Sequence, residues 1–352
     1  MSLDFRRTTL AGALAMVAAS CTGSATLPGT LTDVADAATI APDGTSDAST
    51  PGSDCGHEGD PFAEVTLRER VAFLSSNALS GRSPGSSGDL SARASIESRF
   101  RCLGLTPGGD DGSYAQAFVD DAGHATANLI GVLPGSDPLV ASDIVVVGAH
   151  HDHLGIVRGS VHPGANDNAS GVTTLLAIAQ AISSVATRPR RTIAFVAFGA
   201  EESGLEGSKH YAANAPRALP MDRVVYMVNL DMVGSYGVER TVYALGSFPG
   251  TPARALLEAH AAEHATIHVS LGEPGDESDH VPFCSVGIPH LFLWTPGGSC
   301  YHAACDTADR LDYGPMAEIG HLVTDVTRDL ASSTSDLASV RRSRQFTCTG
   351  GR

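Results

Sequence analysis

Histidines and carboxylates recur in this chain just after apolar runs, in a pattern that suits a divalent metal. His150, His151, Asp152 and His153 follow one run, with Asp167 a little further on. Glu201 and Glu202 follow a second run, Asp231 follows a third, and His302 stands in a late loop between Cys300 and Cys305. Two imidazoles and three carboxylates form a borderline-hard N/O donor set suited to Zn²⁺, and one carboxylate could bridge a pair of ions. Two such ions clamp and acidify a single water. An adjacent acidic pair divides that labour, one carboxylate binding metal while its neighbour handles the proton of the water. Asp152, two residues from His150, suits an acceptor that orients the imidazole. A lone histidine at a strand end is ordinarily a satisfied core or surface residue, and a lone Glu-Glu pair is ordinarily solvated. Recurrence at separate strand ends and loops is what carries the metal reading. His151, His153 and His162 are read as loop or supporting residues, and no HExxH metal-binding helix is present.

The elements that must position these groups are short apolar runs bounded by turn residues. ANLIGVL at 127–133, DIVVVGA at 143–149, TIAFVAF at 192–198, VVYMVNL at 224–230 and HLFLW at 290–294 read as strands covered on both faces. Amphipathic segments at 170–183 and 252–264 separate or follow them. Earlier helices are predicted over 66–79, with Leu67, Val71 and Leu74 on one face, and over 89–103, capped by Asp89 and ended by Gly104; the last spans 315–331. The fold class is therefore α/β, a three-layer αβα sandwich around a mixed, mostly parallel sheet, with functional groups at the carboxyl ends of strands. GRSPG at 81–85 formally matches the G-x-S-x-G elbow of serine hydrolases. It lies between two helices with Pro84 after the serine, so it reads as a chance match in a loop.

The chain has 352 residues and no internal repeat, and one domain is predicted over 62–335. With 23 Lys plus Arg against 39 Asp plus Glu the formal charge is −16, which argues against a nucleic-acid partner or binding to an anionic membrane. Residues 1–20 read as an export signal: Arg6 and Arg7, a short apolar run, then small residues leading to Cys21. Small residues before a cysteine resemble a bacterial lipoprotein box, so Cys21 is a candidate lipid anchor and the protein is expected in the cell envelope or secreted. Residues 21–61 read as a flexible acidic tether, and 336–352 as a basic tail. Export permits disulfides. Cys300 and Cys305 are close enough in sequence to close a tight loop, Cys55 with Cys348 would tie the two ends of the domain, and other pairings are not readable.

Taken together, GAHHDHLG, PGANDNASG, AEESGLEGS, NLDMVG, SDH at 278–280 and YHAACDT resemble, in order and spacing, the co-catalytic di-zinc aminopeptidases of bacteria. That group is related to glutaminyl cyclases and transferrin-receptor-like carboxypeptidases, and the likeness extends over about 67–312. It implies two zinc ions per chain: His150 and Asp231 on one, Glu202 and His302 on the other, and Asp167 between them. It further implies Glu201 as general base and acid, Asp152 behind His150, and Tyr301 as a stabiliser of the tetrahedral intermediate. A disulfide joining Cys300 to Cys305 is implied as well.

The expected reaction is hydrolysis of the N-terminal residue from peptides with a free amine, by a metal-bridging water that Glu201 deprotonates, in a monomer. Carboxypeptidase action, glutaminyl cyclisation and a non-catalytic receptor-like role are the alternatives on the same scaffold. The complete donor set weighs against the last two. Glu277 stands where some aminopeptidases carry a basic residue that contacts substrate or product, and the short connection after Leu133 leaves no room for a protease-associated domain.

Overall fold

Alternation of apolar residues along the central strands divides the interior into two layers. In strand Ile144–His150, Val145, Val147 and Ala149 join one buried cluster while Ile144 and Val146 join the other. The same split recurs in Thr192–Phe198, with Ile193, Phe195 and Ala197 on one side and Ala194, Val196 and Phe198 on the other. Strands apolar on both faces must be covered on both, as the sequence predicts.

The computed structural model describes residues 59–237, 240–272, 275, 277–343 and 348. Residues 51–352 belong to one compact unit. The expected export signal, Cys21 and nearly all of the tether lie outside the described residues.

In chain order the strands are β1 (Thr106–Pro107), β2 (Ala115–Val119), β3 (Ala125–Leu133), β4 (Ile144–His150), β5 (Gly155–Val157), β6 (Ser160–His162), β7 (Thr192–Phe198), β8 (Val224–Leu230), β9 (Thr241–Leu245), β10 (His268–Gly272) and β11 (His290–Trp294). The helices are α1 (Glu64–Leu74), α2 (Ser87–Cys102), α3 (Gly171–Ser183), α4 (Glu206–Ala213), α5 (Pro252–His260), α6 (Val281–Ser285), α7 (Tyr313–Ser332) and α8 (Leu337–Ser343). The main sheet has the order β1-β3-β7-β4-β8-β11-β9-β10, with β2 paired to β3 and β5-β6 forming a separate hairpin. β7, β4, β8 and β11 run parallel, while β3 and β9 pair antiparallel with this block. The architecture is the predicted α/β fold with a central, mostly parallel mixed sheet between helices. α1, α2, α3, α5 and α7 supply one apolar layer; Tyr211 of α4 and Phe283 of α6 supply the other.

Several local readings change. α2 is capped by Ser86, whose side chain accepts the Asp89 N–H at 3.1 Å; Asp89 sits inside the first turn, buried, and accepts from the Gly85 N–H and the Thr126 hydroxyl. The expected helix over 252–264 ends at His260, and 261–266 continue as turns. Cys348 is bonded to Cys284 rather than to Cys55, which lies outside the described residues. Cys300 and Cys305 are bonded as the resemblance implies.

Candidate metal centre

Four adjacent parallel strands place their carboxyl ends on one rim. His150 closes β4 in register with Phe198 of β7, and the His151 N–H donates to the Phe198 carbonyl at 2.8 Å. That pairing draws the Gly199–Glu202 turn alongside His150. The Asp231 N–H donates to the Leu293 carbonyl at 3.1 Å, so the end of β8 is held against β11, whose continuation carries Tyr301 and His302. Ala200, Met232 and His302 all adopt left-handed backbone, at φ 56°, 54° and 52°. Non-glycine residues reach that region at a cost, and here they flank or form the site. Gly164, at φ +62°, turns the chain into Asp167; a Cβ there would lie 2.2 Å from the Asp167 carbonyl and 2.5 Å from His153 Cγ.

The predicted donors converge. His150 Nδ1 lies 3.3 Å from the Asp152 carbonyl, and its Nε2 faces Asp167 Oδ1 and Asp231 Oδ1, each at 3.3 Å. His302 Nε2 faces Asp167 Oδ2 and Glu202 Oε2, each at 3.1 Å. Asp167 thus turns one carboxylate oxygen to each imidazole. Donors about 2.1 Å from a tetrahedral ion stand roughly 3.4 Å apart, so both clusters have the spacing of N/O ligands around a divalent cation. The negative charge also calls for one: burial opposes a charge on His150, yet Glu201 and Asp231 raise its pKa well above the usual imidazole range. Hydrogen bonds that its ring donates to Asp167 and Glu202 push His302 up to about 10.

The two adjacent glutamates are driven apart. Glu201 is pushed up to about 10 by burial, while Glu202, though buried, is held below its ordinary value by His153 and His302. Cations bound at the centre would lower Glu201 again, toward the charged form that a proton acceptor needs. Glu201 Oε2 lies 3.9 Å from His150 Nε2. Asp152, fully buried, accepts the Glu201 N–H at Oδ1 (3.0 Å) and the Glu202 N–H at Oδ2 (3.3 Å); its carboxylate is 3.7 Å from His150 Nδ1. Tyr301 is half exposed, its ring stacked on His302 at 3.9 Å between centroids. Burial and then the neighbouring carboxylates raise its hydroxyl to about 12, so it remains a donor at neutral pH.

Four further residues build the site. His153 Nδ1 lies 2.6 Å from Glu202 Oε1, so Glu202 is flanked by two imidazoles. Asp306 accepts the N–H groups of Asn166 (2.8 Å) and Asp167 (3.0 Å), tying the His302 loop to the Asp167 turn. Ser278 donates to Asp231 Oδ2 at 2.7 Å and accepts from Asn229 at 2.8 Å. Arg82, from the GRSPG loop, is fully buried and donates to the carbonyls of Leu74, His151, Pro163 and Gly164. His151 is buried nearby, 3.6 Å from Asp89, and half-buried His162 lies in β6. A cavity of about 550 Å³ opens onto the centre.

The profile of peptidase family M28 matches residues 128–327, more than half of the chain and every predicted donor. The chain belongs to peptidase family M28. Among M28-like sequences, it is 32% identical over 209 residues to aminopeptidase YwaD of Bacillus subtilis, covering 57% of this chain and 44% of that protein. It is 27% identical over 273 residues to leupeptin-inactivating enzyme 1 of Streptomyces exfoliatus, covering 72% and 58%. The chain thus spans about half the length of these relatives. The M28 fold is also evident in solved structures. A zinc aminopeptidase from Bacillus subtilis superposes with TM-score 0.63 at 20% identity, covering 80% of this chain and 98% of that one. A glutaminyl cyclase from Porphyromonas gingivalis superposes with TM-score 0.61 at 20% identity, covering 77% and 100%.

Proposed function

We propose that this protein is a zinc-dependent aminopeptidase that removes the N-terminal residue of peptides. The observation that carries the reading is Asp167 facing His150 with one oxygen and His302 with the other, beside the adjacent pair Glu201 and Glu202, which face the same two imidazoles. Relatives named aminopeptidase and zinc aminopeptidase support it. His150 and Asp231 would hold one ion, Glu202 and His302 a second, and Asp167 both. When bound, the pair supplies Lewis-acid polarisation of the scissile carbonyl and lowers the pKa of the attacking water.

The chain's own residues perform the proton chemistry. Glu201 takes the proton of the attacking water and returns it to the leaving amine. Tyr301 donates its hydroxyl hydrogen toward the developing oxyanion. Asp152 fixes the peptide on which both glutamates stand. Export, with acylation at Cys21, belongs to the same proposal, and the Cys284–Cys348 and Cys300–Cys305 disulfides suit an oxidising compartment.

The decisive experiment assays a panel of amino-acid p-nitroanilides with and without chelator, followed by zinc restoration. Chelator-sensitive cleavage that zinc restores is expected. No cleavage of any member would sink the reading, and peptides blocked at the amino or the carboxyl end separate aminopeptidase from carboxypeptidase action.

A further inference from the structure

We infer that Glu277 selects substrates whose N-terminal side chain is cationic, arginine or lysine; this rests on the aminopeptidase reading. The cavity at the metal centre has apolar walls in Met232, Phe292, Trp294 and Pro296. The walls are braced from behind: the His280 ring stacks on Phe292 at 4.6 Å between centroids, and Trp294 lies against Tyr243 at 5.2 Å. An aliphatic stem of several carbons fits such a surface.

Charge decides what the end of that stem should be. Four carboxylates line the cavity, Asp167, Glu201, Asp231 and Glu277, and no lysine or arginine does among the described residues. The first three face the His150 imidazole. Glu277 is exposed, and no basic side chain among the described residues pairs with it. The sequence around it, EPGDESD at 273–279, contains no basic residue either. The next residue, Ser278, is hydrogen-bonded to Asp231, which holds the backbone beside Glu277 at the centre. A negative group therefore lines the cavity with no positive partner among the described residues, beside aromatic walls that themselves favour a cation. A lysine or arginine side chain would lie along Phe292 and Trp294 and bring its charge to Glu277.

The test compares pairs that differ in charge while keeping length: arginyl against citrullyl p-nitroanilide, and lysyl against norleucyl, with leucyl as reference. In wild type at low salt, kcat/KM is expected to favour the charged member of each pair by roughly twofold to fivefold, the range of an exposed ion pair. The preference should shrink as NaCl is raised. Glu277→Gln should bring each ratio close to one, and Glu277→Lys should invert it. Ratios near one in wild type, or a preference that survives Glu277→Gln, would overturn the inference while leucyl cleavage leaves the aminopeptidase reading standing. Should wild type cleave none of the five, that reading fails and this inference falls with it. The salt series needs no variant, so a misfolded substitution does not remove the test.

Discussion

Asp152 Oδ1 accepts the peptide N–H of Glu201 at 3.0 Å, so a residue two positions beyond a predicted ligand seats the proposed base. Its other oxygen does the same for Glu202. Asparagine can accept on one side only and presents an NH₂ to the other N–H. Asp152→Asn is expected to lower kcat about 10- to 100-fold, the range seen when a group behind a metal site is lost. Steady-state kinetics alongside metal content by mass spectrometry checks this; unchanged kcat would remove Asp152 from the machinery.

Glu201→Gln keeps the shape of the side chain and removes its proton chemistry. We expect kcat to fall about 10²- to 10⁴-fold with little change in KM and an unchanged complement of bound metal. A variant with wild-type kcat would show that another group carries the proton.

Arg82 bridges the GRSPG loop to the turns that carry His151 and Gly164, with four carbonyls accepting from one buried guanidinium. Burial lowers its pKa to about 10, which still leaves it charged at neutral pH. Arg82→Met strands those carbonyls in a dry interior. A loss of about 3–5 kcal/mol is expected, on the order of a 10 °C drop in Tm, readable by calorimetry.

His290, buried at the start of β11 with its ring stacked on His280, is pushed down to about 3 by burial and then by His280, against an ordinary value of 6.5. The unfolded chain therefore binds a proton between those values that the folded chain refuses. Stability from this group is complete above pH 6.5 and falls as pH drops toward 3, with a slope of at most about 1.4 kcal/mol per pH unit. Urea titrations from pH 7 to 4 should be less steep in pH for His290→Gln than for wild type. Identical slopes would refute the assignment.

Much of the site was legible because apolar strands and the polar groups at their ends are local signals. The runs ending at Ala149, Phe198 and Leu230 each deliver a donor that the fold brings to one rim. Other parts depend on partners distant in sequence. Arg82 looked like a loop residue because all its acceptors are backbone carbonyls, two of them about eighty positions away. His153 reads in sequence as a loop or supporting residue, and tertiary folding decides which by bringing it to Glu202. Asp306 holds the Asp167 turn through backbone N–H groups, which no side-chain pattern announces. Asp89 has the position of a cap in the sequence because it opens the periodic segment, whereas Ser86 three residues earlier performs that task.

The loop over 300–306 gathers a disulfide, the proposed oxyanion donor, the imidazole that faces Asp167 and the Asp306 clasp on the Asp167 turn. Its parts are therefore not interchangeable modules. Transplanting this segment from a relative to alter selectivity would also reset Asp167, so redesign of substrate choice is better confined to Glu277 and Trp294, which line the same cavity and are not among the proposed ligands.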